Sequence, residues 1–261
     1  MNARVHSIET FGTVDGPGIR FVLFLQGCAL QCQYCHNRDT WDLSGGKVMT
    51  IDEVLSEIEP YLRYYRSSNG GLTVTGGEPT LQAPFVTELF REVKKRWNLH
   101  TTLDTNGVND VNKLKDLYEV TDLVLLDIKH IDNNKHLDLT AVSNARTLET
   151  ARWLSENNKK MWVRHVFVPT KCDDEQDLLN LGRFIGTLNG VEKFELLPYH
   201  QMGTFKWEQL GLQYPLAGVA SPTEQEVERA IQLIEKGRQD KGEDTETNVE
   251  IDSDKRYPSV S

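Results

Sequence analysis

Apolar residues along this chain fall into short continuous runs separated by longer amphipathic stretches. The run IRFVLFLQ over 19–26 is one, and 72–75, 100–103, 123–128, 161–168 and 193–197 are others. Runs of this length, without polar alternation, suit strands buried on both faces of a parallel sheet. Between them, helical spacing of apolar residues predicts helices over 51–65, 81–97, 111–119, 145–157, 175–188 and 223–236. Thr50 and Glu53 have the spacing of a capping box at the start of the first helix, and Pro60 weakens its second half.

Six strands alternating with helices predict an α/β fold with a parallel sheet, either an open doubly wound sheet or a (β/α) barrel. A complete eight-unit barrel takes about 250 residues. Six readable units therefore favour a partial, open (β/α)6 barrel of TIM type, preceded by a short N-terminal extension. The folded domain is expected over 1–238. From 239 to 261 the chain carries seven acids against three bases and almost no apolar residue, and this acidic tail is expected to be disordered.

Composition narrows the function. A hydrophobic fraction of 38% can fill a core, and a net charge of −10 argues against non-specific nucleic-acid binding and against attraction to anionic membranes. No run approaches the roughly 18 apolar residues of a membrane span. Residues 1–20 are polar and glycine-rich, without the apolar core of a signal peptide, so a cytoplasmic protein is expected.

Cys28, Cys32 and Cys35 have the spacing C-x3-C-x2-C, and Cys172 is the one other cysteine. In a reducing compartment such a cluster reads as metal or redox ligands. An iron–sulfur cube normally takes four thiolates, so three leave one iron open for chemistry. A structural zinc site using the triad with His36 or Cys172 is the alternative, although adjacent Cys35 and His36 chelate one ion poorly. Cys172 lies beside Asp173 and Asp174, whose charges should raise its pKa, and is read as a free thiol.

Polar groups follow the predicted strands. The first ends at the cysteine loop, the second at Gly76, Gly77 and Glu78, and the third at Asp104 and Thr105. The fourth ends at Asp127 and Lys129, the fifth contains Arg164 and His165, and the sixth ends at Tyr199 and His200. Parallel α/β folds bind ligands at the C-terminal ends of their strands, so one shared site is expected.

The cysteine spacing resembles that of the radical S-adenosylmethionine enzymes. The stretch from Gly16 to Asn37, together with the GGEP, LDTNG, LDIK and LLPYH segments, resembles the glycyl-radical-enzyme activases, in particular those acting on pyruvate formate-lyase. The resemblance covers roughly residues 3–238. It implies a [4Fe–4S] cluster on Cys28, Cys32 and Cys35, with S-adenosylmethionine chelating the open iron. Its reductive cleavage would give a 5′-deoxyadenosyl radical that removes hydrogen from a glycine of the partner lyase. It further implies S-adenosylmethionine contacts from Tyr34, Gly76, Gly77, Glu78, Asp104, Lys129, Arg164 and His200. A monovalent-cation site at Asp104, Thr105, Leu125 and Asp127 follows from it too, as do partner-peptide contacts from Asp15 and His36. A flavodoxin or ferredoxin as electron donor and a monomeric enzyme complete the expectation.

Overall fold

Six parallel strands stand where the apolar runs predict them. The structure, a computed structural model, describes residues 1–240. In chain order the strands are β1 (Asn2–Gly12), β2 (Arg20–Leu25), β3 (Lys47–Thr50), β4 (Gly71–Gly76), β5 (His100–Thr105), β6 (Leu123–Asp127), β7 (Met161–Phe167) and β8 (Val191–Pro198). Among the described residues they form one sheet in the order β3-β1-β2-β4-β5-β6-β7-β8. From β2 through β8 the neighbours pair in parallel and follow chain order without reversal. A sheet wound in one direction has no topological switch point, which separates it from the doubly wound class and leaves the open barrel.

The N-terminal extension is itself part of the sheet. β1 pairs antiparallel with both β2 and β3. Its pairing with β2 shifts register between Val5 and Ser7 and again between Glu9 and Gly12. Each irregularity breaks the two-residue alternation by which a strand is recognised, so the segment reads as polar coil. β3 is four residues long with Met49 as its one buried side chain.

The helices α1 (Ile51–Ile58), α2 (Leu62–Ser67), α3 (Ala83–Trp97), α4 (Lys115–Glu119), α5 (Asn133–Thr140), α6 (Ala145–Glu156), α7 (Glu175–Gly186), α8 (Thr204–Gln209) and α9 (Glu224–Gln239) connect or flank the strands. The capping box forms: Thr50 and Glu53 satisfy each other's backbone N–H groups. Pro60 divides the expected first helix through a 3-10 turn at Glu59–Tyr61. The amphipathic helices close the apolar core against the sheet, with Val54, Ile58, Leu89, Phe90, Leu154 and Ile234 among its fully enclosed side chains. No helix among the described residues is long and apolar enough to cross a membrane. Of the expected tail, Gln239 ends α9 and Asp240 caps it; residues 241–261 lie outside the described residues.

Candidate functional site

All six parallel strands deliver residues to one cavity of about 730 Å³, most of them from their C-terminal ends. The loop after β2 brings Cys28, Cys32, Tyr34, Cys35 and His36 to it. β4 brings Gly76 and Gly77, β5 brings Asp104, Thr105 and Asn106, and β6 brings Asp127 and Lys129. β7 contributes Trp162 and Arg164, and β8 contributes Lys193, Glu195 and, just beyond it, Tyr199 and His200.

The cysteine loop is fastened from both sides. Gln31 and Gln33 donate backbone hydrogen bonds to the Thr140 and Leu139 carbonyls at the end of α5, at 2.8 and 3.0 Å. On the other side the Glu78 N–H donates to the Gly27 carbonyl at 2.7 Å. Gly77 makes this approach possible: a Cβ there would stand 2.1 Å from the Gly27 carbonyl oxygen. Gly76 has φ of 120°, a conformation that side chains rarely adopt. All three triad cysteines are free thiols. Burial raises each of them, Cys32 to about 12, with Lys129 opposing that rise at Cys32 and the Trp41 hydrogen bond opposing it at Cys35. Buried thiols held protonated must release protons to a metal before they can bind it. Among the described residues no group of three or more His, Cys, Asp and Glu converges as the ligands of a single ion would.

Opposite the thiols lies a charged wall. Lys129 Nζ donates to Asp127 Oδ2 at 2.6 Å, and Arg164 Nη1 lies 3.3 Å from Asp104 Oδ2. Burial works against the Lys129 ammonium, but Asp127, Tyr34 and Cys32 together hold its pKa well above the usual lysine range. Asp104 is pushed upward, by burial first, with Arg164 opposing and Asp127 adding to the rise. Asp104 Oδ1 is buried without a hydrogen-bond partner. The Tyr34 hydroxyl and the Nε and Nη1 of Arg164 are likewise buried and unpartnered.

Three of the expected site residues do not line the cavity. Glu78 is fully buried one step behind Gly77. Its Oε1 accepts from the Thr80 N–H and hydroxyl and from the Thr105 hydroxyl, and its Oε2 from the Asn106 N–H at 2.9 Å. Burial nevertheless leaves its pKa raised. Leu125 is a buried β6 residue paired with Asp104. Asp15 stands behind its neighbours Thr13, Val14 and Gly16, which do line the cavity, and its carbonyl accepts from the Thr73 hydroxyl at 2.7 Å. His36 and His200 meet at the rim, their rings 4.3 Å apart, and a ring nitrogen of His36 is hydrogen-bonded to the His200 carbonyl. Cys172 lies in the apolar cluster that also holds Cys32, Tyr34 and Tyr199, but outside the cavity lining. Its thiol is pushed up to about 12 by burial first, with Asp173 and Asp177 lesser causes.

Sequence reasoning missed Trp41, Asn106, Trp162, Lys193 and Glu195. The last three carry a readable signal: they lie two residues from expected site residues or from each other on β7 and β8, and so share the inward face of each strand. Trp41 reaches the site through the fold of the loop.

Known proteins match this arrangement. Residues 14–147 match the family described as a 4Fe-4S single cluster domain. The pyruvate formate-lyase-activating enzyme of Staphylococcus epidermidis is 48% identical over 241 residues, which cover 90% of this chain and 96% of that one. The enzyme of the same name from Staphylococcus aureus gives the same identity and coverage. Among solved structures, a radical SAM methyltransferase from Sphaerobacter thermophilus superposes with a TM-score of 0.62 at 15% identity, covering 90% of this chain and 75% of that chain. A domain of pyruvate-formate lyase-activating enzyme from Bacteroides vulgatus superposes at 0.55 and 22% identity, covering 64% of this chain and 94% of that one. These two likenesses bear on the fold, which they place with the partial barrels. With nearly half its residues shared across nine-tenths of its length, and a 4Fe-4S domain spanning its cysteine triad, the chain belongs to the pyruvate formate-lyase-activating enzyme family.

Proposed function

We propose that this activating enzyme places a glycyl radical on pyruvate formate-lyase by reductive cleavage of S-adenosylmethionine. The observation that carries the reading is the convergence of six strands on a single cavity, with thiols from the loop after β2 and the cationic Lys129 and Arg164 from β6 and β7. In this reading Cys28, Cys32 and Cys35 hold three irons of a [4Fe–4S] cluster and leave the fourth to the amino and carboxylate groups of S-adenosylmethionine. Bound there, the two cofactors would supply the bond-breaking chemistry, a one-electron reductive cleavage of a C–S bond of S-adenosylmethionine to a 5′-deoxyadenosyl radical.

The chain's residues bind and orient. Gly76 and Gly77 let the ligand approach the β4 backbone, and the Glu78 carboxylate behind them matches an ammonium in charge. Lys129 and Arg164 offer positive charge to the ligand carboxylate. The Tyr34 hydroxyl and Asp104 supply further polar contacts, and His200 covers the rim. A monovalent cation among Asp104, Thr105, Leu125 and Asp127 would relieve the excess negative charge at Asp104. Asp15 and His36 stand on the side where the lyase's glycine peptide would enter. A flavodoxin or ferredoxin supplies the electron to a monomer whose catalytic unit is the barrel, with the acidic tail dispensable.

The test mixes the protein anaerobically with a reduced donor, S-adenosylmethionine and pyruvate formate-lyase. A glycyl-radical doublet by electron paramagnetic resonance is the expected result. A protein that carries cluster and cleaves S-adenosylmethionine yet leaves the lyase without a radical would overturn the partner assignment.

A further inference from the structure

Trp41 has no role in the reading above, yet its indole touches the triad. Nε1–H donates to Cys35 Sγ at 3.3 Å. The 3-10 turn Arg38–Thr40 folds the chain back after the cysteine loop and brings the ring over the sulfur. Two neighbours fix it there. The Trp207 ring packs edge-on at 5.6 Å, and its own N–H donates to the Cys35 carbonyl at 3.0 Å. The Arg38 guanidinium lies over the Trp41 ring face, 4.1 Å from its centroid. A cation on the face draws density from the indole and makes its N–H a better donor.

No other triad thiol has a side-chain donor this close among the described residues. Asn106 Nδ2 stands 3.9 Å from Cys28 Sγ, which is long for a hydrogen bond, and Cys32 has no side-chain donor among the described residues.

We infer that Trp41 is a positioning residue that raises the reduction potential of the cluster through its hydrogen bond to Cys35. The inference rests on the reading that Cys35 holds an iron. Reduction adds one negative charge to the cluster and its sulfurs. A donor at a ligating sulfur stabilises that charge more in the reduced than in the oxidised form, so the hydrogen bond favours reduction. The bond therefore makes the cluster easier for a cellular donor to reduce.

The variant Trp41→Phe keeps an aromatic ring under Arg38 and removes the N–H. Its midpoint potential, read by an anaerobic redox titration followed by electron paramagnetic resonance, should fall. A roughly tenfold weaker reduction equilibrium corresponds to about 59 mV for a one-electron couple. A variant with full iron and sulfide content whose potential is unchanged, or higher, overturns the inference while leaving the cluster assignment intact. A wild-type protein that assembles no cluster overturns the assignment instead. Should Trp41→Phe hold too little cluster to titrate, wild-type protein carrying indole-15N tryptophan supplies the second readout. Hyperfine coupling from an indole 15N to the reduced cluster is expected, and its absence overturns the inference.

Discussion

Replacing Glu78 by Gln distinguishes two roles for a residue that the structure buries behind the cavity wall. The carboxylate joins the loop after β4 to the loop after β5, accepting three hydrogen bonds at Oε1 and one at Oε2. An amide of the same shape keeps one oxygen. The less disruptive orientation leaves that oxygen at the Oε1 position and turns the NH2 toward the Asn106 N–H, 2.9 Å from the present Oε2. Two donors then face each other and a buried backbone N–H loses its acceptor, which costs about 1–3 kcal/mol. The three remaining bonds also lose a charged acceptor, so a total of about 2–3 kcal/mol is expected. For a chain of this size that lowers the melting temperature by roughly 5–10 °C. The assay is thermal unfolding of cofactor-free protein, followed by circular dichroism, beside S-adenosylmethionine affinity of the reconstituted protein. A clamp predicts the stability loss in the cofactor-free state. An unchanged melting temperature with weakened affinity would refute the clamp and make Glu78 a direct ligand alone.

Other perturbations give separable outcomes. Cys32→Ser should fold and fail to assemble the cluster, seen as loss of iron, sulfide and the brown absorbance; S-adenosylmethionine cleavage at wild-type rate would remove Cys32 from the ligand set. Stability should fall with acid below neutrality because His165 and His136 are buried neutral, each with its pKa lowered from 6.5 to about 4, chiefly by desolvation. Because the folded value is the lower one, the stabilisation is complete above 6.5 and is lost as pH falls toward 4, an effect of order 3 kcal/mol for the enclosed His165. His165→Gln should flatten that part of the pH profile in chemical denaturation, and an unchanged slope would count against it. Ending the chain after Asp240 should leave lyase activation intact; loss of activation with normal S-adenosylmethionine cleavage would make the tail a docking element.

The parallel strands were legible because burial on both faces writes a continuous apolar run, which needs no knowledge of the partner strand. The cavity was legible for a related reason: a strand end in such a fold has one place to put a polar group. What stayed hidden depended on contacts distant in sequence. β1 takes its identity from bulged pairing with β2, and α5 is a mostly polar eight-residue helix with His136, Leu139 and Thr140 inward. Yet α5 holds the cysteine loop through Leu139 and Thr140. Glu78 illustrates the same limit. Its spacing after two glycines suggests a ligand contact, while its burial follows from Thr80, Thr105 and Asn106 gathering around it. No local pattern announces that gathering.

Arg164 shows why a structural and a ligand-binding role need not exclude each other here. An arginine inside an apolar strand is costly to bury without compensation, so a salt-bridged structural residue is a reasonable reading of the sequence alone. The structure supplies the compensating charge: Asp104 at 3.3 Å, Glu195 at 3.9 Å and Asp127 at 4.0 Å. These carboxylates, Asp104 foremost, hold its pKa above the ordinary arginine value. Yet Nε and Nη1 make no hydrogen bond. Coulomb attraction falls slowly with distance, whereas a hydrogen bond requires close and directed contact. Three acids that face it without well-directed contacts therefore keep the guanidinium charged while leaving its directional donors to the cavity. The same arrangement leaves Asp104 Oδ1 without a hydrogen-bond partner. A ligand carboxylate on Arg164 and a cation near Asp104 would satisfy opposite deficits of one wall, so the wall is better suited to the two together than to either alone.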